Sequence, residues 1–255
     1  MRLYYGIDGT DNDDDTPVYS GPVPSPKIFQ SYVRRIKYIS GFHGPHNYEP
    51  GPTQSLTGHS TGRLAKNAAE WVERQVKLAK GKPPKVYLGG FSRGAAAAIN
   101  AAYHLNKSGI AVDALFLFDA VDRTYSIPFW TVWETPKNVR VAFHAVRASS
   151  AASRPGFSNI ILRNRCIARS FHTSHGGIGG WPLDHFETVK ERSAENTHKT
   201  STPGSILPSG RLVATEKIFP GVRRKTKVSP LEQLSGSLAV WNWMSGCVLS
   251  TLNHS

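Results

Sequence analysis

"KVYLGGFSRGAAAAIN" (85–100) places one serine, Ser92, between Gly90 and Gly94 in the spacing G-x-S-x-G. The apolar run at 85–89 reads as a short buried strand of the parallel type, and the alanine-rich stretch at roughly 93–107 reads as a helix. A sharp strand-to-helix corner forces its apex residue into a backbone conformation that side chains on the flanking positions would obstruct, and glycine removes the obstruction. Such a corner lifts the Ser92 hydroxyl to the C-terminal edge of a sheet. It also sets the Arg93 N–H at a helix N-terminus, where developing negative charge is stabilised. A glycine–serine match this short arises often by chance; the strand before it and the helix after it give it weight.

Working outward, the chain alternates strand and helix patterns. A β-rich run at 2–7 breaks at the acidic loop "DGTDNDDDTP". Residues 26–38 read as a short helix, "KYISG" (37–41) as a second strand, and the Gly/Pro/His/Asn-rich stretch to about 60 as a loop. Residues 61–81 form an amphipathic helix with Leu64, Ala68, Trp71, Val72, Val76 and Ala79 on one face, Thr61 as N-cap and Gly81 as stop. Further buried strands are read at 113–121, 138–146 and 166–172. A closing helix at 229–249 opens on a Ser229/Glu232 capping box with Pro230 in its first turn. This alternation predicts an α/β fold: a mainly parallel sheet with helices on both faces. Two stretches fall outside that core, the aromatic "DRTYSIPFWTVWETPK" (122–137) and a polar, basic segment at 181–230 that reads as an irregular insertion or cap.

With 255 residues, the chain fits one domain of the larger α/β kind. No run reaches the roughly 20 apolar residues that span a bilayer. The N-terminus has no signal-peptide pattern, so synthesis and folding in the cytoplasm are expected. Cys166 and Cys247 are the only cysteines, read as two reduced thiols, and no Cys/His spacing resembles a zinc site. Thirty-one Lys and Arg against 18 Asp and Glu give a net charge of +13. That field favours anionic partners, but no nucleic-acid module accompanies it, which leaves nucleic acid with charge alone in its favour. Against a calcium loop of the EF-hand kind, Asp11, Asn12, Asp13 and Asp15 fit the early positions. Thr16 stands where glycine is required and Pro22 where glutamate is, so a solvated acidic loop is expected.

A serine hydroxyl needs a base, and the base an orienting acid. Asp119 ends the apolar strand "ALFLFD", with Asp122 as competitor three residues on. Of ten histidines, His43, His46 and His59 precede the serine, and His198 and His254 lie in polar sequence. His104 falls within a helix and His144 within a strand, as a core histidine would. "FHTSHGGIGGWPLDH" leaves His172, His175 and His185; His175, immediately before a glycine-rich loop, is preferred, with His172 second. The aromatic stretch after the acid-bearing strand adds Tyr125, Phe129, Trp130 and Trp133 as candidate acyl or membrane contacts.

Taken together, "YGIDGTDND", "VYLGGFSRGAAAA", "LFLFDAV", "FHAVRAS", "HGGIGG" and the final "LAVWNWM" resemble, in this order, one group. It is the α/β-hydrolase-like domain family that includes the phospholipase effectors of bacterial type VI secretion, of the Tle-one type. The resemblance implies Ser92 as nucleophile, Asp119 as acid and His175 as base, with Gly9 or Thr10 of the opening Asp-Gly-Thr motif as the second oxyanion donor beside Arg93. It implies a serine esterase or lipase acting on a lipid or other ester without a cofactor, export by a type VI system, and an anionic membrane surface and a secretion or immunity protein as partners. Two departures stand out. Gly177 replaces the aspartate usual two residues after the motif histidine, and "VRASSAAS" replaces an acidic run after "HA". The competing reading is a non-catalytic module of the same fold that binds an anionic surface or partner.

Overall fold

The computed structural model describes residues 1–9, 31–52, 59–121, 127, 134–151, 160, 162–182, 206–207, 211–212 and 228–254. At its centre is a six-stranded sheet built from β1 (Arg2–Ile7), β2 (His46–Glu49), β3 (Lys85–Phe91), β4 (Val112–Phe118), β5 (Val139–Arg147) and β6 (Cys166–Phe171). Every pairing is parallel and the order is β2-β1-β3-β4-β5-β6. The chain is an α/β protein. Two residues each at 206–207 and 211–212 form a separate antiparallel pair, β7 and β8.

Both faces of the sheet are covered, and strand alternation divides the side chains between them. One face carries Leu3, Tyr5, Ile7, Val86, Leu88, Leu115 and Leu117 against α2 (His59–Leu78) and α3 (Arg93–Lys107). The opposite face carries Tyr4, Tyr87, Phe116 and Phe118. It packs against α1 (Tyr32–Arg35) and α5 (Pro230–Asn253), the latter through Val240, Met244, Val248 and Leu252. A fifth, short helix, α4 (His175–Gly179), follows β6. The Ser229/Glu232 capping box is present at the start of α5. The Arg2 guanidinium donates to the Gly41 and Leu252 carbonyls at 2.6 Å each, tying the first strand to the end of α5.

Several boundaries differ from the sequence reading. "KYISG" is not a strand: Ile36–Tyr38 form a 3₁₀ turn after α1, with Ile36 buried beneath it. The strand beside β1 is instead the polar "HNYE" at 46–49, inside the stretch read as loop. As an edge strand it needs no apolar alternation; its register follows from backbone bonds to β1 and from the Tyr48 hydroxyl bonded to Asp8. Helix α2 begins at His59, so Thr61 lies inside it, buried, and is not the cap. The α5 helix runs to Asn253, four residues beyond the apolar pattern. Most of the 181–230 insertion lies outside the described residues, but Trp181 and Val228 at its ends are buried. Among the described residues no helix is long and apolar enough to cross a membrane.

In this strand order the chain passes from β1 to β2 on one side and then crosses back to place β3 on the other side of β1. The crevice at the C-terminal ends of β1 and β3 is therefore a topological switch point, where parallel α/β sheets bind ligands.

Candidate active site

Ser92 sits at that crevice, between β3 and α3, with φ 54° and ψ −124°. A non-glycine residue in this region carries strain of about 1–3 kcal/mol, which persists only where the surroundings over-determine it. Here they do. The Ser92 N–H donates to the Phe118 carbonyl of β4 (2.9 Å), and its own carbonyl accepts from Val121 (3.1 Å) and Ala95 (3.1 Å). The glycines behave as the corner requires. A Cβ at position 90 would lie 2.5 Å from the Ala95 Cα, and one at 94 would lie 2.1 Å from the Asp8 carbonyl oxygen.

Asp119, fully buried, follows β4 directly, also at positive φ (42°). Its N–H donates to Ala145 (2.7 Å) and its Oδ1 accepts the Arg147 N–H (3.2 Å). His175 opens α4, whose cap is Ser174: the Ser174 Oγ accepts the Gly177 N–H and turns the chain so that the imidazole faces the sheet edge. The Asp119 Oδ2 lies 2.6 Å from His175 Nδ1, and His175 Nε2 lies 3.0 Å from Ser92 Oγ. With Nδ1–H donating to the carboxylate, Nε2 offers its lone pair to the hydroxyl. All three side chains are buried, Ser92 at 5% exposed and His175 at 2%.

The His175 loop is held from behind by α5. Thr173 Oγ1 donates to the Gln233 carbonyl (2.9 Å), and Ser237 Oγ donates to the Gly177 carbonyl (2.6 Å). A Cβ at Gly177 would fall 2.2 Å from Thr173 Oγ1, itself held by the Gln233 carbonyl, so a side chain there would displace that anchor. On the other side the Phe91 ring lies 4.8 Å from the imidazole, and Trp181 stacks on Phe91 at 5.7 Å.

Two further residues brace the acid, and a third buried ionisable group lies at the end of β1. Arg147, 7% exposed, sets Nη1 3.2 Å from Asp119 Oδ2, the oxygen that also meets His175. Burial alone would raise the Asp119 carboxyl. The Arg147 guanidinium, then the His175 hydrogen bond and charge and the Arg147 N–H, outweigh it and hold the group down at about 2. His144 is the core histidine that its strand position implied, yet it is not idle. Its Nε2 accepts the Ala120 N–H (3.1 Å) and so braces the turn that presents Asp119. At the end of β1, Asp8 is fully buried and its carboxylate accepts from Gly9 N–H (2.8 Å), Tyr48 (2.7 Å) and Ser31.

Burial pushes His144 down to about 4, with Asp119 opposing weakly. In the unfolded chain a histidine takes up its proton near pH 6.5. Between about pH 6.5 and 4 the unfolded state therefore binds the extra proton, and stability falls as pH falls through that window. Unfolding by urea at pH 7 and pH 4.5 is expected to differ by about 2–3 kcal/mol from this residue. The variant His144→Gln, which keeps an acceptor for Ala120 but does not titrate, is expected to flatten that slope.

The structure thus brings Ser92, Asp119 and His175 together and leaves His172 elsewhere. The His172 side chain is 40% exposed, with Nδ1 3.0 Å from Ser150 Oγ and Nε2 3.8 Å from Glu232. Arg93 is the first residue of α3, so its amide is one of the first-turn N–H groups that point out of the helix end. Gly9 does not suit the donor role expected of it: its N–H is taken by the adjacent Asp8 carboxylate. Thr10, Asp122 and the acidic loop lie outside the described residues. So do Tyr125, Phe129, Trp130 and Trp133; of residues 122–133 the structure describes Ile127, buried in the core. Among the described residues no cluster of His, Cys, Asp or Glu could hold a metal ion. Arg147 and His144 both fall in "FHAVRAS", but nothing in that stretch assigns them a place at the acid; the β4–β5 register, which pairs Leu117 with His144, brings them beside it. No family model matches the chain, and no curated protein matches it.

Proposed function

We propose that this chain is a serine hydrolase that cleaves carboxylic esters. The observation that supports it is the unbroken run from Asp119 Oδ2 through both nitrogens of His175 to Ser92 Oγ, at 2.6 and 3.0 Å, on a strained corner at the sheet's switch point. In this reading the Ser92 oxygen bonds to the ester carbonyl carbon while its proton passes to His175 Nε2. The resulting imidazolium is stabilised by Asp119, and the carbonyl oxygen, now an anion, by the Arg93 amide with the first-strand loop. The carbon–oxygen bond to the alcohol then breaks, and the alcohol leaves with the proton from Nε2. Water repeats the two steps, releasing the acid and restoring Ser92. Phospholipid as the substrate class, an anionic membrane as the working surface and export by a type VI system come from the motif resemblance, and the +13 charge favours such a surface.

A fluorophosphonate probe is expected to form one adduct, at Ser92, and none in Ser92→Ala. Hydrolysis of p-nitrophenyl esters of increasing chain length should disappear with it. Labelling that persists in Ser92→Ala would overturn the reading. A folded chain that neither labels nor hydrolyses would favour the non-catalytic binding module.

A further inference from the structure

The geometry points to Arg147 as a tuning residue: it grips the same carboxylate oxygen that orients His175, so that the base works against a carboxylate it must share. The inference rests on the triad reading for its effect on turnover, though not for its effect on His175 itself. Two contacts carry it. Arg147 Nη1 lies 3.2 Å from Asp119 Oδ2 and His175 Nδ1 lies 2.6 Å from the same atom, with both partners of the carboxylate buried. The Arg147 N–H holds the other oxygen, Oδ1, at 3.2 Å.

In a Ser-His-Asp site the carboxylate selects the tautomer of the histidine and stabilises the imidazolium as it forms. Arg147 leaves the first of these effects intact and opposes the second. An imidazolium at His175 would be a second cation on one oxygen, no more than about 6 Å from the guanidinium. At an effective dielectric constant of about 20, that repulsion at about 6 Å is worth about two pH units. His175 then stays unprotonated, and able to take the Ser92 proton, to lower pH than an unshared carboxylate would allow, with some loss of basicity. The same guanidinium keeps Asp119 ionised across that range. Arg147 also falls in "VRASSAAS", the stretch where this chain departs from the acidic run of the family it resembles.

Other charged and titratable groups around the pair are common to every variant. Among the described residues they are Arg93 at the β3–α3 corner and His144 on β5; Asp8, at the end of β1, is engaged with Gly9, Tyr48 and Ser31. From α5 come Gln233 and Ser237, which are uncharged; its one charged residue, Glu232, sits beside the exposed His172.

The test is an NMR titration of the imidazole carbons of His175, assigned by its loss in His175→Ala, in wild type, Arg147→Gln and Arg147→Lys. Gln keeps a polar side chain at the position and drops the charge, and the Arg147 backbone N–H bond to Oδ1 is untouched by either substitution. The His175 titration is expected to move up by about one to two pH units in Arg147→Gln and by less than about half a unit in Arg147→Lys. The acidic limb of kcat/KM on a soluble p-nitrophenyl ester should move with it. If Gln fails to fold, Arg147→Met at the same position, compared with Lys, gives the same contrast. An unchanged His175 titration in the folded neutral variant overturns the inference. Because the titration does not need turnover, that result is distinct from the loss of Ser92 labelling, which would instead overturn the hydrolase reading.

Discussion

Replacing Asp119 by asparagine is expected to lower kcat on a soluble ester by about four orders of magnitude with little change in KM. An asparagine amide facing His175 Nδ1 across 2.6 Å donates where the carboxylate accepts, so it favours the tautomer with the proton on Nε2. That nitrogen, 3.0 Å from the Ser92 hydroxyl, would then present a proton to a group whose proton it must take. The substitution also strips Arg147 of its buried counter-charge, so stability is expected to fall by about 3–5 kcal/mol. Kinetics are therefore to be read well below the melting temperature. His175→Ala should lower kcat at least as far, because it removes the base itself. His172→Ala is expected to retain wild-type kcat, since its ring lies with Ser150 and Glu232. A dead His172→Ala beside an active His175→Ala would reassign the base.

The second large effect is expected from a single methyl group. In Gly94→Ala the new Cβ would fall 2.1 Å from the Asp8 carbonyl oxygen and 2.3 Å from that of Ile7. Both obstacles are backbone, and neither can retreat. Ile7 is in register with Gly90 of β3 and Glu49 of β2, and the Asp8 N–H is bonded to the Glu49 carbonyl. Either the helix carrying Ser92 lifts from the sheet or the end of β1 breaks its pairing. We expect a loss of about 3 kcal/mol or more, and a fall in Tm of about 6–12 °C with loss of hydrolysis. Gly246→Ala is the control. It lies within α5, where a Cβ meets nothing within 4 Å, and should leave Tm unchanged or slightly raised. A Gly94→Ala protein that melts within about 2 °C of wild type would show that the corner tolerates a side chain.

How far the sequence could be read follows from how local each signal is. Strands β3, β4 and β5 are buried between helices, so their near-continuous apolar runs stand out in the chain. The strand β2 gives no such signal. It is four polar residues at the edge, paired only to β1, and nothing within "HNYE" distinguishes it from a loop. The G-x-S-x-G corner is legible because its constraint is local: the obstacles to a side chain at position 90 are Gly94 and Ala95, a few residues away. Choosing between His172 and His175 is harder, because the decision belongs to Ser174, which lies between them and caps the one-turn helix that His175 opens. Arg147 and His144 are the least legible. In one dimension they are an arginine and a histidine in a strand; their meeting with Asp119 depends on the register of β5 against β4. Gly9 failed as a donor for a related reason: a glycine in a favourable loop says nothing about which acceptor already holds its N–H.

The grip of α5 on the His175 loop has a consequence for the order in which the molecule comes to life on the ribosome. The strands that form the Ser92 corner and hold Asp119, β1 to β5, are all made before residue 150. The base is not. Thr173 and Gly177 are anchored to Gln233 and Ser237, some sixty positions later in the chain, and His175 has no fixed address until those residues emerge and dock. On the proposed hydrolase reading, a nascent chain therefore carries Ser92 and Asp119 without a placed base until α5 has been made. The last long helix acts as the arming step, and a chain cut before Pro230 would keep the hydroxyl and lose the means to ionise it.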